Sequence, residues 1–266
     1  MRAAVLGLGE AGGRYATDMA EAGWQVSAFD PAPVATPPGV ARAESASGAA
    51  TGCDLAVALT GPDAAASVVA SAAPVMRSGG CYADLNSTSA ARKRAVAAAI
   101  ARTGAQVVMA DVAVLAPVPL LGAATPLIAS GPGARAAAEA FGALGAEVQV
   151  LDAPVGVAAE RKLLRSVFMK GIAAVVLEAL TAGQAAGCEQ WVRGQIVTEL
   201  GSGAPGLVDR LVEGSRKHAA RRIPEVEASR AYLRELGVPT PVCDAALSWL
   251  TLLRAGPSFG LPGPPA

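Results

Sequence analysis

The sequence holds one histidine, His218, in 266 residues, so a histidine-built metal cluster is excluded. Lysine is nearly as scarce. Lys93, Lys162, Lys170 and Lys217 are the whole set, in a chain dense with alanine, and each is correspondingly informative. The four cysteines, Cys53, Cys81, Cys188 and Cys243, show no C-x-x-C pairing, which points to structural thiols in a reducing cytoplasm. Neither sign of charge is in excess, with 22 Lys+Arg against 22 Asp+Glu. There is accordingly no basic field for nucleic acid and no acidic tail. No apolar run reaches the ~18 residues of a spanning helix; Ile172 to Leu180 comes nearest, and Glu178 interrupts it. The start of the chain lacks the charged, apolar and small-residue layout of a signal peptide. These absences set the expectation of a cytoplasmic protein with no membrane and no nucleic acid as partner. The hydrophobic share of 52%, by contrast, can bury a sizeable core, and the length suits one large or two modest domains.

The beginning of the chain is organised around glycine. Ala3 to Leu6 reads as a buried strand that runs into Gly7-Leu8-Gly9-Glu10-Ala11-Gly12. A helical pattern with Tyr15, Met19 and Ala22 follows and is ended by Gly23. Trp24 to Phe29 is a second strand, closed by Asp30. Each part has a task in gripping a dinucleotide. Gly7 permits the tight turn, Gly9 lets backbone approach a pyrophosphate, and Gly12 lets the helix pack on the strand. The helix N-terminus offers N–H groups to the phosphates. Asp30, ~20 residues beyond the glycines, suits the ribose hydroxyls of NAD and repels a 2′-phosphate. Arg42 is the nearest basic residue downstream, so NADP stays possible beside NAD. A glycine-rich turn with no ligand is the bland alternative.

Strand and helix patterns then alternate. Val40 to Ala43, Asp54 to Leu59, Cys81 to Leu85, Ala105 to Ala110, Pro126 to Ser130 and Ala146 to Val150 read as strands. Helices are expected over Asp63 to Met76, Ala90 to Arg102 and Gly133 to Leu144, with Ser89 as a cap and Gly104 as a stop. Alternation of this kind implies an α/β, doubly wound, mainly parallel sheet of Rossmann type, with ligands at its carboxyl edge. Leu59 and Thr60, at the end of one such strand, count among the expected cofactor contacts, as does Asn86 at the end of the next. After Pro154 the pattern turns wholly helical: Val157 to Ala186, Glu189 to Leu200, Leu207 to Ala220, Pro224 to Leu236, and Cys243 to Leu253. The expected organisation is a dinucleotide-binding domain over 1–154, an all-helical domain over 155–256 that opens with a long connecting helix, and a Pro/Gly-rich loose tail over 257–266.

Four stretches can carry chemistry. On the long helix, Lys162, Ser166 and Lys170 recur at i, i+4 and i+8, on one face, with Leu163, Leu164, Val167 and Phe168 expected to bury the other side. A lysine half-buried among other cations is a weaker base and can move a proton near neutral pH, as oxidation of an alcohol requires. Solvated charges on a helix face are the bland reading. The second stretch is the loop Asp84 to Ser89, where Asn86 and Ser87 suit a carboxylate or a nicotinamide amide and Ser89 suits a helix cap. In the third, Asp111 is an acid at a strand end before a Pro-fixed loop, which lines a pocket or is a rigid connection. The fourth, His218-Ala-Ala-Arg221-Arg222, suits an anionic substrate or a solvated face.

These pieces together resemble the β-hydroxyacid dehydrogenase superfamily, which includes 3-hydroxyisobutyrate and 6-phosphogluconate dehydrogenases. Gly7 to Gly12 is similar to its G-L-G-x-M-G signature, with Ala11 in place of Met. Asp84 to Ala90 is similar to its D-x-S-T-x-S-P loop, with Ala90 in place of Pro. Gly156 to Lys162 resembles the G-x-G-x-x-x-K segment that bears the family's catalytic lysine. Asp111 to Pro117 matches the D-A-P-V-S-G-G position, with Leu115-Ala116-Pro117 replacing Ser-Gly-Gly. Ala116 to Pro119, Arg165 to Gly171 and His218 to Arg222 resemble a branch whose C-terminal helical domain is likened to that of phosphogluconate dehydrogenases.

The resemblance implies an NAD(P)-dependent oxidoreductase acting on a small, anionic hydroxy acid or its carbonyl form. Lys162 would be the general acid/base, and Asn86, Ser87, Ser166, Lys170 and His218 would position substrate. It further implies a homodimer. Two alternatives stand beside it: an imine reductase, a group that usually lacks the lysine, and an NAD-binding redox sensor without turnover.

Overall fold

The computed structural model describes residues 1–61, 63–201 and 204–255. The loose tail expected over 257–266 lies outside them. The described chain divides into two compact units, the first Met1–Lys162 and the second beginning at Leu163.

The first unit is built on eight strands: β1 (Arg2–Leu6), β2 (Gln25–Phe29), β3 (Val40–Arg42), β4 (Leu55–Ala58), β5 (Cys81–Asp84), β6 (Val108–Val114), β7 (Leu127–Ser130) and β8 (Val148–Val150). Their order in the sheet is β3-β2-β1-β4-β5-β6-β7-β8, and every pairing is parallel except β6 with β7. The central strands are apolar throughout because both faces are covered. Along β1, Ala3 and Val5 enter one buried cluster while Ala4 and Leu6 enter another on the opposite face. The first cluster is sealed by α1 (Glu10–Glu21) and α6 (Ala134–Gly142), and Tyr15 of the one meets Phe141 of the other edge-on at 5.7 Å. The second is sealed by α3 (Ala65–Ala72) and α4 (Ala90–Thr103). Ser89 caps α4 by accepting the Arg92 N–H, and Gly104 ends it in the left-handed region.

Several boundaries differ from the expectation. The helix expected to Met76 stops at Ala72 and tightens into a 3₁₀ turn at Ala73–Val75, where Pro74 cannot continue the hydrogen-bond ladder. Two short helices, α2 (Ala46–Ala50) and α5 (Val118–Leu121), were not expected; neither is long enough to display a period. The strand expected to end at Ala110 runs on to Val114, because β7 pairs with its second half. Asp111 is therefore inside a strand and 0% exposed, not at a pocket rim.

The second unit is helical, with no strand among the described residues. It comprises most of α7 (Val157–Ala185), then α8 (Glu189–Leu200), α9 (Ala204–Lys217), α10 (Ala219–Glu235) and α11 (Pro241–Ala255). One core joins Val176, Leu177 and Leu180 to Val208, Leu211 and Val212, and a second joins Ala174 to Val226, Cys243, Ala246 and Leu250. The break expected after Ala220 falls at His218 instead, whose φ of −120° and ψ of 21° leave the helical basin, and Pro224 lies inside α10. Leu164 and Phe168 do not bury a face of α7: they are 40% and 65% exposed. Its inward stripe runs through Leu163, Ser166, Lys170, Ala173 and Leu177 at three- and four-residue spacing, which sends Leu164 and Phe168 outward. No helix among the described residues is long and apolar enough to cross a membrane.

Candidate active site

The glycine loop follows β1, the strand from which the order runs one way to β2 and β3 and the other way to β4 and beyond. That reversal is where open α/β sheets bind ligands. Gly7 has φ +102°, and a Cβ there would lie 2.5 Å from the Leu59 carbonyl oxygen. A Cβ on Gly12 would fall on the carbonyl oxygen of Gly7. Both glycines are thus required by the protein's own packing. Gly9 is not: a Cβ there would meet nothing within 4 Å. Its bareness leaves room for a group from outside, in front of the first turn of α1. Gly9 itself occupies the cap position of that helix and supplies no side-chain cap, and a helix N-terminus favours an anion in front of it. The loop therefore fits a pyrophosphate.

Asp30, just beyond β2, anchors this loop. Its Oδ2 accepts the Leu8 N–H at 2.7 Å and its Oδ1 accepts the Ala32 N–H at 2.8 Å. Each carboxylate oxygen keeps a lone pair for a ribose hydroxyl. Arg42 is committed elsewhere: its guanidinium donates to the carbonyls of Asp30, Ala32 and Val34 at 2.5, 3.0 and 3.1 Å, fixing the loop after β2. Leu59 and Thr60 end the neighbouring strand, and the next N–H, of Gly61, donates to Asn86 Oδ1 at 2.8 Å.

The loop after β5 carries the second half of the site. Lys162 Nζ, half-buried on the second turn of α7, donates to Ser87 Oγ at 2.6 Å. The sequence places these residues 75 positions apart, and the fold joins them. Asn86 is 6% exposed and braces the loop: its Nδ2 donates to Asp84 Oδ1 at 2.7 Å while its Oδ1 holds Gly61. The pocket-lining alternative for Asp111 does not hold. Its Oδ2 accepts the N–H groups of Gly156 and Ala159 at 3.0 and 3.1 Å and so caps α7. Sequence reasoning missed Lys93, 1% exposed, with Nζ 3.3 Å from both Asp84 Oδ1 and Asp111 Oδ1. A signal existed: Ala90, Lys93, Val96, Ala99 and Ile100 form the buried stripe of α4, and a lysine on such a stripe needs carboxylate partners.

The remaining expected residues belong to the second unit. Ser166 is 8% exposed. Lys170 Nζ lies 3.2 Å from Glu225 Oε2, and burial, against the pull of Glu225, holds its ammonium below the ordinary lysine value. Arg222 donates to Ser215 Oγ at 2.9 Å, and Arg221 reaches Glu225 at 3.7 Å. Two cations thus pair with one carboxylate, whose field also acts on Arg222. His218 stands at the junction of α9 and α10, its carbonyl accepting the Arg222 N–H. No metal-binding group of His, Cys, Asp and Glu occurs among the described residues. The thiols of Cys53, Cys81 and Cys243 are buried, and desolvation pushes Cys53 up to about 11 and Cys81 to about 12, which leaves them inert at neutral pH.

Residues 2–117 match the NAD binding domain of 6-phosphogluconate dehydrogenase, and residues 184–253 match a domain of unknown function, DUF1932. No curated protein matches the chain. Among solved structures, a conserved hypothetical protein of Sinorhizobium meliloti is 27% identical, with 98% of this chain and 91% of that one covered at TM-score 0.73. The 3-hydroxyisobutyrate dehydrogenase of Salmonella typhimurium is 19% identical, with 98% and 96% covered at TM-score 0.79. An imine reductase of a Pseudomonas species is 21% identical, with 98% and 96% covered at TM-score 0.64. The first unit is an NAD(P)-binding Rossmann domain, and the whole chain has the fold shared by hydroxyacid dehydrogenases and imine reductases. The chain thus carries, in order, an NAD binding domain of the 6-phosphogluconate dehydrogenase kind and a DUF1932 domain, on the fold of the 3-hydroxyisobutyrate dehydrogenases.

Proposed function

We propose that the protein oxidises a small anionic hydroxy acid, or reduces the corresponding carbonyl acid, with Lys162 as general acid/base. The observation that carries this reading is the 2.6 Å hydrogen bond from Lys162 to Ser87, at the carboxyl edge of the sheet whose glycine loop fits a dinucleotide. NAD(P), when bound, supplies the hydride acceptor or donor. In the oxidative direction the carbinol carbon loses a hydride and its hydroxyl loses a proton, which Lys162 takes up. Ser87 orients the lysine and can accept or donate to the substrate oxygen. Asn86 keeps that loop in place through Asp84 and Gly61. Asp30 favours NAD, and NADP remains the second candidate. Ser166, Lys170 and His218 are assigned to the substrate's anionic group, supported by the excess of cations around Glu225.

Two experiments test this. Fluorescence titration with NADH and NADPH should show tight NADH binding that Asp30→Ala weakens; no binding of either nucleotide would sink the reading at its base. In a panel of hydroxy acids that includes 3-hydroxyisobutyrate, Lys162→Ala should lower turnover by about 10²- to 10⁴-fold with NADH binding intact. The shared fold favours a second reading, reduction of imines. Turnover of cyclic imines in place of every hydroxy acid would establish it and remove the proton-transfer role from Lys162.

A further inference from the structure

A closed ionic cluster adjoins the Ser87–Lys162 pair, and the reaction proposed above does not use it. Asp84 ends β5, and Asp111 is its in-register neighbour on β6. Both carboxylates are fully buried, and at adjacent positions on one face of a sheet they repel. Lys93 enters from α4 and meets both, with a third contact of 2.6 Å to the Asp84 carbonyl oxygen. Its one hydrogen bond goes to that carbonyl, and the two carboxylates are met as ion pairs at 3.3 Å. With all three ionised, the cluster keeps one unbalanced negative charge. A buried arrangement of this kind is a poor source of stability, since each ion gives up its hydration and apolar residues of like volume often serve as well.

What sets it apart is what each carboxylate holds. Asp84 Oδ1 accepts the backbone and side-chain N–H groups of Asn86 at 2.9 and 2.7 Å, fixing the turn that presents Ser87. Asp111 Oδ2 accepts the N–H groups of Gly156 and Ala159, fixing the first turn of α7, one turn before Lys162. Ser130 Oγ reinforces this second branch by accepting the Ala158 N–H at 3.1 Å. Lys93 forms an ion pair with each branch. The glycine loop and Asp30 make none of these contacts.

We propose that Lys93 is a positioning residue: through Asp84 and Asp111 it keeps the Ser87 hydroxyl and Lys162 Nζ in one frame. This rests on Lys162 being the proton-transfer group, so the test has one arm that needs no turnover. With four lysines in the chain, protein labelled with ¹³Cε-lysine gives four signals that single substitutions assign. The Lys93→Met/Asp111→Asn double variant keeps the formal charge of the cluster while cutting the link. Asp111→Asn alone is a milder companion that keeps the Lys93–Asp84 pair. In either folded variant the Lys162 signal should move while those of Lys170 and Lys217 stay. Turnover of the hydroxy acid that wild type uses should fall by about 10- to 100-fold, the scale of a misplacement of about 1 Å. NADH affinity should hold at the wild-type value. An unmoved Lys162 signal in a folded variant overturns the proposal. So does a parallel loss of NADH affinity, which means a general loosening, and so does failure of both variants to fold, which makes the cluster a folding element. If wild type oxidises no hydroxy acid, the proposed function fails and the lysine signals still decide the role of Lys93.

Discussion

Within one turn of chain, three glycines answer to different causes, and substitution separates them. Gly12→Ala puts a methyl onto a backbone oxygen that cannot move aside without displacing β1 from α1. Thermal unfolding should show a large loss of stability, on the order of the 1–3 kcal/mol of an overpacked core, or no folded protein. Gly9→Ala meets no protein atom, and its φ of −61° and ψ of −173° suit alanine. It should keep the wild-type melting temperature and lose most NADH affinity in the fluorescence titration; unchanged affinity would mean that no pyrophosphate lies there. Lys170 gives a pH signature of the same sense as the usual carboxylate, displaced to the alkaline range. Its folded value lies below the unfolded value of ~10.4, so between the two the unfolded chain binds the extra proton. Stability from this group therefore rises with pH as the unfolded value is approached. Urea unfolding between pH 8 and 10.5 should rise less steeply in Lys170→Met than in wild type, and equal slopes would contradict the assigned cause.

At the scale of elements, the first unit depends on small apolar residues more than on large ones. Ala3, Ala4, Ala28, Ala56, Ala58 and Ala83 are all buried in the sheet. Such strands leave few large side chains to anchor each face, and Leu6, fully buried at the end of β1, is one of them. Leu6→Ala should cost about 2–5 kcal/mol by denaturant unfolding, the range for a leucine removed from a close-packed interior. A cost below 1 kcal/mol would mean that the helices over that face collapse to fill the gap. Strand alternation, the capping by Ser89 and the stop at Gly104 were all legible in the sequence, because each rests on contacts within a few residues. The second half of β6 was not. Its pairing partner, β7, lies beyond a helix and a 3₁₀ turn, and no local period announces it.

For the whole molecule the open expectation is a homodimer. Leu164, Phe168 and Val175 stand exposed along α7, with Trp191 exposed on α8 at 66%. Large apolar groups left in water on consecutive turns mark association surfaces. Light scattering in solution should return twice the 26.3 kDa chain mass, and Phe168→Glu should reduce it toward one copy. A monomer in the unsubstituted protein would rule the dimer out.

The dinucleotide loop, Asp30 and the change from an alternating to a wholly helical chain were determined by the sequence, since each is a pattern of neighbours along the backbone. So was Lys162 as the foremost candidate base, through its offset from Gly156. Tertiary structure alone decided who meets whom: Ser87 with Lys162, Asn86 with Gly61, Lys170 with Glu225. It also turned Asp111 from a pocket acid into a helix cap and gave Lys93 its place between two carboxylates. The physical reason is burial. A charge removed from water takes whatever partner the packing of distant segments brings to it, and that choice is written in no local spacing.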